Sequence, residues 1–302
     1  MRINPNMTAD ILSDMHQSQG AVNTALQQVA TGLSVSSPSD NPYAAAAMVQ
    51  NTIETGNVDQ YSKNISTVLA SVETASSVMS NVVTALTQAV SLGTEGSNGI
   101  ESAANRQAIA TQVQGILSTV VSLANTSVAG TYLFAGSGTS TPYTADTSSP
   151  TGYSYNGNSD QTSVAVGDTL NVAVNLPGNQ IFSNPPNGVN SLLGSLSSLV
   201  MALQNGDTAG IEAATNSLSS VIALVGKQQA FYGNAESQLN SQEIFLQQDT
   251  VSLASQAKSL VGIDLATAAT NLSQAETANS AVLAATAKVL PTTLLSYLSP
   301  PG

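Results

Sequence analysis

Both ends of the chain are predicted to be amphipathic helices in which apolar residues recur every three or four positions. The C-terminal pattern consists of Leu265, Ala268, Leu272, Ala275, Asn279, Val282, Thr286 and Val289. The N-terminal pattern consists of Ile11, Met15, Val22, Ala25 and Val29. This spacing is typical of helices that pack along one another in a coiled coil. Because an apolar stripe that reaches a terminus needs a partner, the pattern predicts a subunit of an assembly.

Charged residues are scarce, which favours close packing of many copies and argues against charged partners. Asp, Glu, Lys and Arg make up 8% of the chain, whereas an ordinary soluble domain has roughly 25%. The six basic residues are scattered and the net charge is −12. Nucleic-acid binding depends on clustered basic side chains, so we expect no nucleic-acid partner. An anionic membrane surface is disfavoured for the same reason.

The side chains that usually perform catalysis or bind metals are almost absent. The chain has no cysteine, and its single histidine, His16, follows Asp10 and Asp14 on the first helix. A solvated helix start explains these two acids without a metal. Ser255 and Lys258 have the Ser-x-x-Lys spacing of some acyl transferases, but they fall inside a leucine heptad and lack the partner motif. We therefore predict no enzyme activity, no metal site and no cofactor.

The sequence predicts no secretory signal and no membrane insertion. Residues 1–5 lack the apolar core of a signal peptide, and the longest purely apolar run, Ala44 to Val49, is too short to cross a bilayer. Two interpretations remain open: a cytoplasmic protein, or a protein exported by a route that uses no cleaved signal.

Helix signals dominate the first half of the chain. The first helix is predicted from about Thr8 to Leu33, and the Ser- and Pro-rich stretch 34–42 ends it. Asn41 or Asp40 is placed to cap a second helix that begins near Tyr43. The strongest heptad pattern follows it, and a third helix comes next. We expect the glycines between these two helices, Gly93, Gly96 and Gly99, to break the second helix.

The pattern changes to a β period between Thr131 and Phe182. Leu170, Val172, Val174 and Leu176 alternate with polar or small residues, which predicts a half-buried strand. Asn156-Gly157 after a Tyr-Ser-Tyr run predicts a tight turn.

Helix signals return after this β-rich stretch. We predict that helix resumes near Val189 and is interrupted at Gly262 and Asp264, with Asp264 as the next N-cap. The last helix is expected to end near Leu290-Pro291.

Short motifs spread over nearly the whole chain resemble one protein family. They are Met1-Arg2-Ile3, Val29 to Gly32, Pro38-Ser39-Asp40-Asn41-Pro42, Tyr61, Asn64-Ile65, Thr131 to Gly136, Pro142-Tyr143, Tyr155 to Asn158, Pro177-Gly178, Ile181-Phe182, Val225-Gly226, Asp264-Leu265-Ala266 and Leu294 to Leu298. In this order and spacing they resemble the flagellin superfamily, and within it the hook-associated proteins of the bacterial flagellum.

The resemblance implies a mainly α fold with a small β-rich insertion, built as an elongated helical bundle or coiled coil. Residues 1–42 with 262–302 would form an inner coiled-coil layer. Residues 43–130 with 188–261 would form a helical rod layer, and 131–187 a solvent-facing β insertion. The implied role is a structural adaptor between hook and filament. A minor flagellin is the nearest alternative, and an extracellular coiled-coil fibre or adhesin is a more distant one.

The resemblance also implies partners, a location and candidate residues. The partners would be other copies of the chain, flagellin, a neighbouring hook-associated protein and an export chaperone that binds the C-terminal segment. The location would be extracellular, in the flagellum. The assembly interface is predicted to comprise Ile11, Met15, Val22, Val29, Leu265, Leu272, Val282, Val289, Leu294, Leu295 and Leu298. The family loop comprises Pro38, Ser39, Asp40 and Pro42, and the start of the β insertion comprises Tyr132, Leu133, Phe134 and Gly136.

Overall fold

The computed structural model describes residues 7–183 and 191–298, with side chains described for 9–183 and 191–288. Its helices are α1 (Met7–Thr31), α2 (Pro42–Gly96), α3 (Ala103–Ala124), α4 (Leu192–Asn205), α5 (Thr208–Val261) and α6 (Leu265–Leu298). Six short strands and a π-helical turn, Asn179–Ser183, lie between α3 and α4. The expected class, mainly α with a small β-rich insertion, is confirmed.

The chain divides into two compact units, and the two long helices α2 and α5 contribute to both. The terminal unit comprises residues 1–57 and 248–302, and the middle unit comprises residues 58–247. In the described part of the chain, no helix has an apolar stretch long enough to cross a membrane.

Helix ends in the terminal unit follow the capping signals of the sequence. Gly32 adopts φ +69° and ends α1, a left-handed conformation that glycine reaches without a Cβ penalty. The Asn41 side-chain oxygen accepts a 3.1 Å hydrogen bond from the Ala44 amide at the start of α2. Asp264 accepts from the Ala266 amide at 3.3 Å and begins α6. The predicted caps at Asn41 and Asp264 are therefore confirmed.

The prediction that Gly93 and Gly96 break the second helix is wrong, because α2 continues through Gly96. Both glycines are buried. A Cβ at Gly93 would meet Thr215 and Leu199, and one at Gly96 would meet Leu203. The missing side chains allow α2 to approach α4 and α5 closely within the middle unit. Gly99 lies beyond the end of the helix, in the turn that precedes α3.

Two further predicted helix boundaries differ from the structure. α6 remains helical through Pro291 to Leu298, since a proline removes one backbone hydrogen bond but need not end a long helix. The expected helix start at Val189 lies outside the described residues. α4 begins at Leu192, where the Ser191 hydroxyl accepts from the Gly194 amide at 3.0 Å.

The β-rich insertion consists of three antiparallel two-stranded ladders. β1 (Ser127–Val128) pairs with β2 (Thr131–Tyr132), β3 (Tyr143–Ala145) with β4 (Tyr153–Tyr155), and β5 (Ser163–Ala165) with β6 (Asn171–Ala173). The strand predicted from Leu170 to Leu176 is thus only three residues long. Asn156-Gly157 follows β4 and does not join two paired strands, so the tight-turn prediction is wrong. Residues 146–152 make that connection, with Ser148 bonded to the Asp146 carboxylate.

An aromatic cluster forms the core of the insertion and compensates for its short strands. The Phe134 and Phe182 rings meet edge to face with centroids 5.4 Å apart, and Tyr143 lies 5.8 Å from Phe182. The Tyr143 hydroxyl donates to the Gly178 carbonyl at 2.9 Å. Large aromatic side chains bury much apolar area per residue, so a region with little sheet can still fold around them.

Candidate assembly surface

Helices α1 and α6 pack along each other in the terminal unit. A small groove is lined by Ile11 from α1 and by Val282 and Thr286 from α6. Farther along, the amide of Ile263 donates to the carbonyl of Gly32 at 3.0 Å. The start of α1 thus lies beside the C-terminal half of α6, and the end of α1 lies beside the start of α6. The two helices are therefore antiparallel.

The predicted interface residues have three different environments in this helix pair. Ile11, Met15, Val22, Val29, Leu272 and Val282 are half-buried. Leu265 is 61% exposed. Val289, Leu294, Leu295 and Leu298 belong to α6, but their side chains lie outside the described residues. Of these residues, Ile11 and Val282 line the groove between the two terminal helices, and the interface as a whole stays a prediction.

A second set of apolar side chains in the terminal unit remains open to solvent. We call it the outer apolar set: Leu12, Leu26, Leu33, Tyr43, Val49, Ile53, Val251, Leu265 and Leu283. Sequence reasoning singled out only Leu265 as an interface residue, because the other members fall beside the heptad positions. Nine exposed large apolar side chains in this one unit make it the candidate interaction surface.

A backbone clasp connects the two helix breaks of the terminal unit. Leu33 and Gly262 form an antiparallel bridge. The Ser34 amide and hydroxyl both donate to the Val261 carbonyl, at 2.6 and 3.1 Å. We use the name clasp for residues 32–34 and 261–263. It fixes the end of α1 to the segment before α6 mainly through backbone groups, and the Ser34 hydroxyl adds one side-chain hydrogen bond.

The family loop is organised by the Asp40 carboxylate. It accepts hydrogen bonds from the Ser36 amide at 3.0 Å and the Ser37 amide at 2.9 Å, and from both serine hydroxyls. The Ser37 bonds are the largest cause that lowers the pKa of Asp40 below its ordinary 3.8. Pro38, Ser39 and Pro42 are exposed, and the Ser39 hydroxyl lies 2.6 Å from that of Ser37. The loop is therefore held together by one carboxylate and exposes two prolines and a serine.

The residues at the start of the β insertion have structural positions in the middle unit. Leu133 and Phe134 are buried, and the Tyr132 hydroxyl lies 3.0 Å from that of Thr141. Gly136 adopts φ +71°, and a Cβ there would meet the Asn158 backbone at 2.7 Å. This motif therefore contacts later turns of the same insertion, near Thr141 and Asn158.

Two other motif residues connect α2 to the β5–β6 hairpin. The Tyr61 hydroxyl donates to the Asp168 carboxylate at 3.0 Å, and the Asn64 amide donates to the Ala165 carbonyl at 2.9 Å. The hydrogen bond to Asp168 is the largest cause that raises the pKa of Tyr61. The sequence motif contains these residues but predicts no contact for them.

Tyr143 and Tyr232 have the most strongly raised pKa values among the described residues. In residues 7–183 and 191–298, no three potential metal-ligating side chains come together. Burial raises the pKa of both Tyr143 and Tyr232. Each hydroxyl is engaged with backbone, Tyr143 with Gly178 and Tyr232 with the Leu176 amide. They act as packing residues with a polar tip.

Comparison with known proteins places this arrangement among flagellar proteins. The chain is 35% identical over 116 residues to flagellar hook-associated protein 3 of Escherichia coli K12, covering 38% of this chain and 37% of that protein. It is 33% identical over 138 residues to the protein of the same name in Salmonella typhimurium LT2, covering 45% and 44%. The aligned part thus spans less than half the length of these curated relatives.

A solved structure and two family models extend the comparison to most of the chain. The flagellar junction protein FlgL of Legionella pneumophila has a similar fold, with a TM-score of 0.59 and 16% identity over 72% of this chain and 100% of that one. Residues 3–139 match the model of the bacterial flagellin N-terminal helical region. Residues 210–298 match that of the bacterial flagellin C-terminal helical region. Because both terminal helical regions match in the family's order, the chain belongs to the flagellin family.

Proposed function

We propose that the chain is a structural component of the bacterial flagellum, an adaptor that joins the hook to the flagellin filament. The observation that supports this most is the outer apolar set, because a terminal unit with so much exposed apolar surface needs neighbours to cover it. Relatives named flagellar hook-associated protein 3 and a fold shared with a junction protein support the hook–filament position over other assemblies.

The proposed mechanism is folding that is completed by assembly. Residues 1–42 with 262–302 form the inner layer, and residues 43–130 with 188–261 form the next one. The β insertion, residues 131–187, faces solvent. The neighbours are other copies, flagellin and another hook-associated protein. A segment that gains most of its buried apolar area from neighbours can pass an export channel unfolded and become helical on arrival.

The proposed location is extracellular, after export without a cleaved signal and with a chaperone holding the C-terminal segment. In this role the chain acts through surfaces and has no catalytic activity. Among the described residues, the exposed apolar side chains and the buried tyrosines are groups suited to packing.

A truncation separates the assembly role from folding of the insertion. Deletion of the residues after Asp264 removes α6 and its contact with α1, so we expect filament attachment to be lost. The middle unit should keep its near-ultraviolet circular dichroism, since its aromatic cluster does not include α6. Unimpaired filament attachment by the truncated chain would refute the adaptor role.

A minor flagellin is the second candidate, favoured by the match of both terminal helical regions to flagellin models. The two functions differ in whether copies of the chain can keep adding to the end of a filament. Purified chain added to filament seeds should elongate them if it is a filament subunit. An adaptor should add a short, length-limited segment, which electron microscopy measures directly.

A further inference from the structure

Asn-Gly pairs of the middle unit have different environments at residues 98–99, 156–157 and 205–206. A further pair, at residues 187–188, lies outside the described residues. In such a pair the backbone nitrogen of the glycine can attack the side-chain carbon of the preceding asparagine, because glycine has no Cβ to hinder the rotation that brings them together. Asparagine is a thermolabile residue, and the local structure determines which of these pairs is free to react.

The Asn98-Gly99 pair lies in the exposed turn between α2 and α3. The Asn98 amide donates to the Glu95 carbonyl at 3.1 Å, and the Asn98 carbonyl accepts from the Glu101 amide at 3.0 Å. Within the described part of the chain, the Asn98 side chain and the Gly99 amide have no hydrogen-bond partner. A Cβ built on Gly99 would meet nothing within 4 Å. Rotation of the Gly99 nitrogen toward the Asn98 side chain therefore strains only the hydrogen bond from Glu101.

The Asn156-Gly157 pair is held on both sides. The Asn156 side-chain nitrogen donates to the Thr144 hydroxyl at 2.8 Å, and its backbone amide donates to the Pro142 carbonyl at 2.8 Å. Gly157 is packed so closely that an added Cβ would lie 2.8 Å from the Ala135 carbonyl oxygen. The same rotation here breaks a side-chain hydrogen bond and disturbs a closely packed backbone.

In the Asn205-Gly206 pair, which ends α4, the attacking nitrogen itself is engaged. Gly206 adopts φ +68°, and its N–H donates to the carbonyls of Ala202 and Leu203. The Asp207 amide also donates to the Ala202 carbonyl, at 3.0 Å. The Gly206 nitrogen can turn toward the Asn205 side chain only when this helix cap opens locally.

We propose that Asn98 is a site of spontaneous covalent modification and that the fold protects Asn156 and Asn205. The Gly99 nitrogen bonds to the Asn98 side-chain carbon and gives up its proton, and the side-chain nitrogen takes up a proton and leaves as ammonia. A cyclic imide remains. Water then adds to one of the two imide carbonyls and breaks its bond to nitrogen, which yields aspartate or isoaspartate. Water is the only co-reactant, and nothing is oxidised or reduced.

The modification changes both the charge and the backbone of the turn. Either product adds a carboxylate, in the sequence between Glu95 and Glu101, to a chain whose net charge is −12. In isoaspartate the main chain runs through the former side chain and is one methylene longer. The carbonyl that accepts from the Glu101 amide then becomes a free carboxylate. Ser102, which caps α3 by accepting from the Asn105 amide at 3.1 Å, follows directly, so the start of α3 is loosened.

This reaction goes beyond the proposed function, because it needs only the folded chain and water. Peptide mass spectrometry tests it on the purified full-length chain, kept warm at neutral pH for several weeks in native buffer and in urea. We expect Asn98 to react at a similar rate in both. Asn156 and Asn205 should react about tenfold or more slowly in native buffer than in urea. Equal native rates at the three sites, or strong protection of Asn98, would overturn the proposal.

A matched variant provides a second measurement. Gly99→Ala adds a methyl group that meets no neighbour, so the fold should be unchanged while reaction at Asn98 slows about tenfold. In the original chain, amide exchange at Glu101 should accelerate with incubation time, and in aged Gly99→Ala it should not. Equal acid formation at Asn98 in both chains would refute attack by the Gly99 nitrogen.

Discussion

The two units of this chain bury apolar residues to very different extents. In the described part of the terminal unit, the buried apolar residues are Ala25, Ala44, Leu253, Val261 and Ala268, of which three are alanines. The middle unit buries four large aromatic side chains, Phe134, Tyr143, Phe182 and Tyr232, among many aliphatic ones. Apolar burial is the main favourable contribution to folding. We therefore expect the middle unit to fold alone and the terminal unit to need neighbours.

Removing an aromatic ring from the middle unit should have the largest effect. Phe134 is fully buried and its ring meets Phe182 edge to face, so Phe134→Ala should lower the free energy of unfolding by about 3–5 kcal/mol. Urea unfolding followed by tyrosine fluorescence measures this. Phe245→Ala is the control, because that ring is 57% exposed and its loss should change stability by less than about 0.5 kcal/mol. Equal effects would show that the insertion has no specific core.

Polar substitutions in the outer apolar set should separate stability from assembly. Leu12→Ser and Leu283→Ser should leave unfolding of the middle unit unchanged. Each should weaken incorporation into the flagellum by about 1.5–3 kcal/mol, the value of burying one leucine. The fraction of cells with attached filaments reports this. Ala21→Ser, also exposed on α1, is the matched control. Normal attachment of the leucine variants would mean that neighbours do not cover this surface.

Two glycines of α2 should respond in opposite directions to the same substitution. In the middle unit, Gly93→Ala brings a Cβ against Thr215 and the Leu199 methyls, which should destabilise by about 1–3 kcal/mol. In the terminal unit, a Cβ added at Gly56 would have nothing within 4 Å. Gly56→Ala should stabilise the helix by about 0.5–1 kcal/mol. Thermal unfolding distinguishes them, and a shared sign would contradict the difference in packing.

The smallest predicted effect is local and depends on pH. The folded pKa of Asp40 is lower than its ordinary 3.8, so its hydrogen bonds stabilise the loop fully above about pH 4 to 5 and are lost as the pH falls through the folded pKa. Amide exchange at Ser36 and Ser37 should accelerate, beyond its intrinsic pH dependence, only below that range. Asp40→Ala should show the faster exchange at every pH. Protection that persists in this variant would assign the loop's order to other contacts.

The terminal helices and the fold class were predictable because they depend on local patterns. The hydrophobic period, the helix caps and the charge pattern depend on residues that are close in the sequence. The caps at Asn41 and Asp264 could therefore be predicted from neighbouring residues alone. Gly93 and Gly96 were not predictable as helical. A glycine permits either a helix break or a close approach, and the choice depends on Leu199 and Leu203, about a hundred residues away in the chain. The continuation of α6 through Pro291 was not predictable either, because the helix-forming residues on both sides of the proline outweigh its local cost.

The candidate surface was only partly predictable for a related reason. The heptad rule identified Ile11, Met15 and Val22, which are half-buried on α1, and Ile11 lines the groove against α6. It could not identify Leu12 or Leu283 as exposed. Which apolar residues stay exposed depends on which helix faces are covered when α1 packs against α6. The contacts of Tyr61 and Asn64 join a helix to a hairpin about a hundred residues later, and no local pattern predicts such a pairing.

The clasp also forms only in a chain that extends at least to residues 261–263. Ser34 and Val261 are 227 positions apart, so the acceptor is missing from any chain cut short before Val261. Such a fragment retains α1 and much of the middle unit but has nothing to hold the end of α1 against. In such a product the Ser34 amide and hydroxyl lack the carbonyl group to which they donate in the full chain.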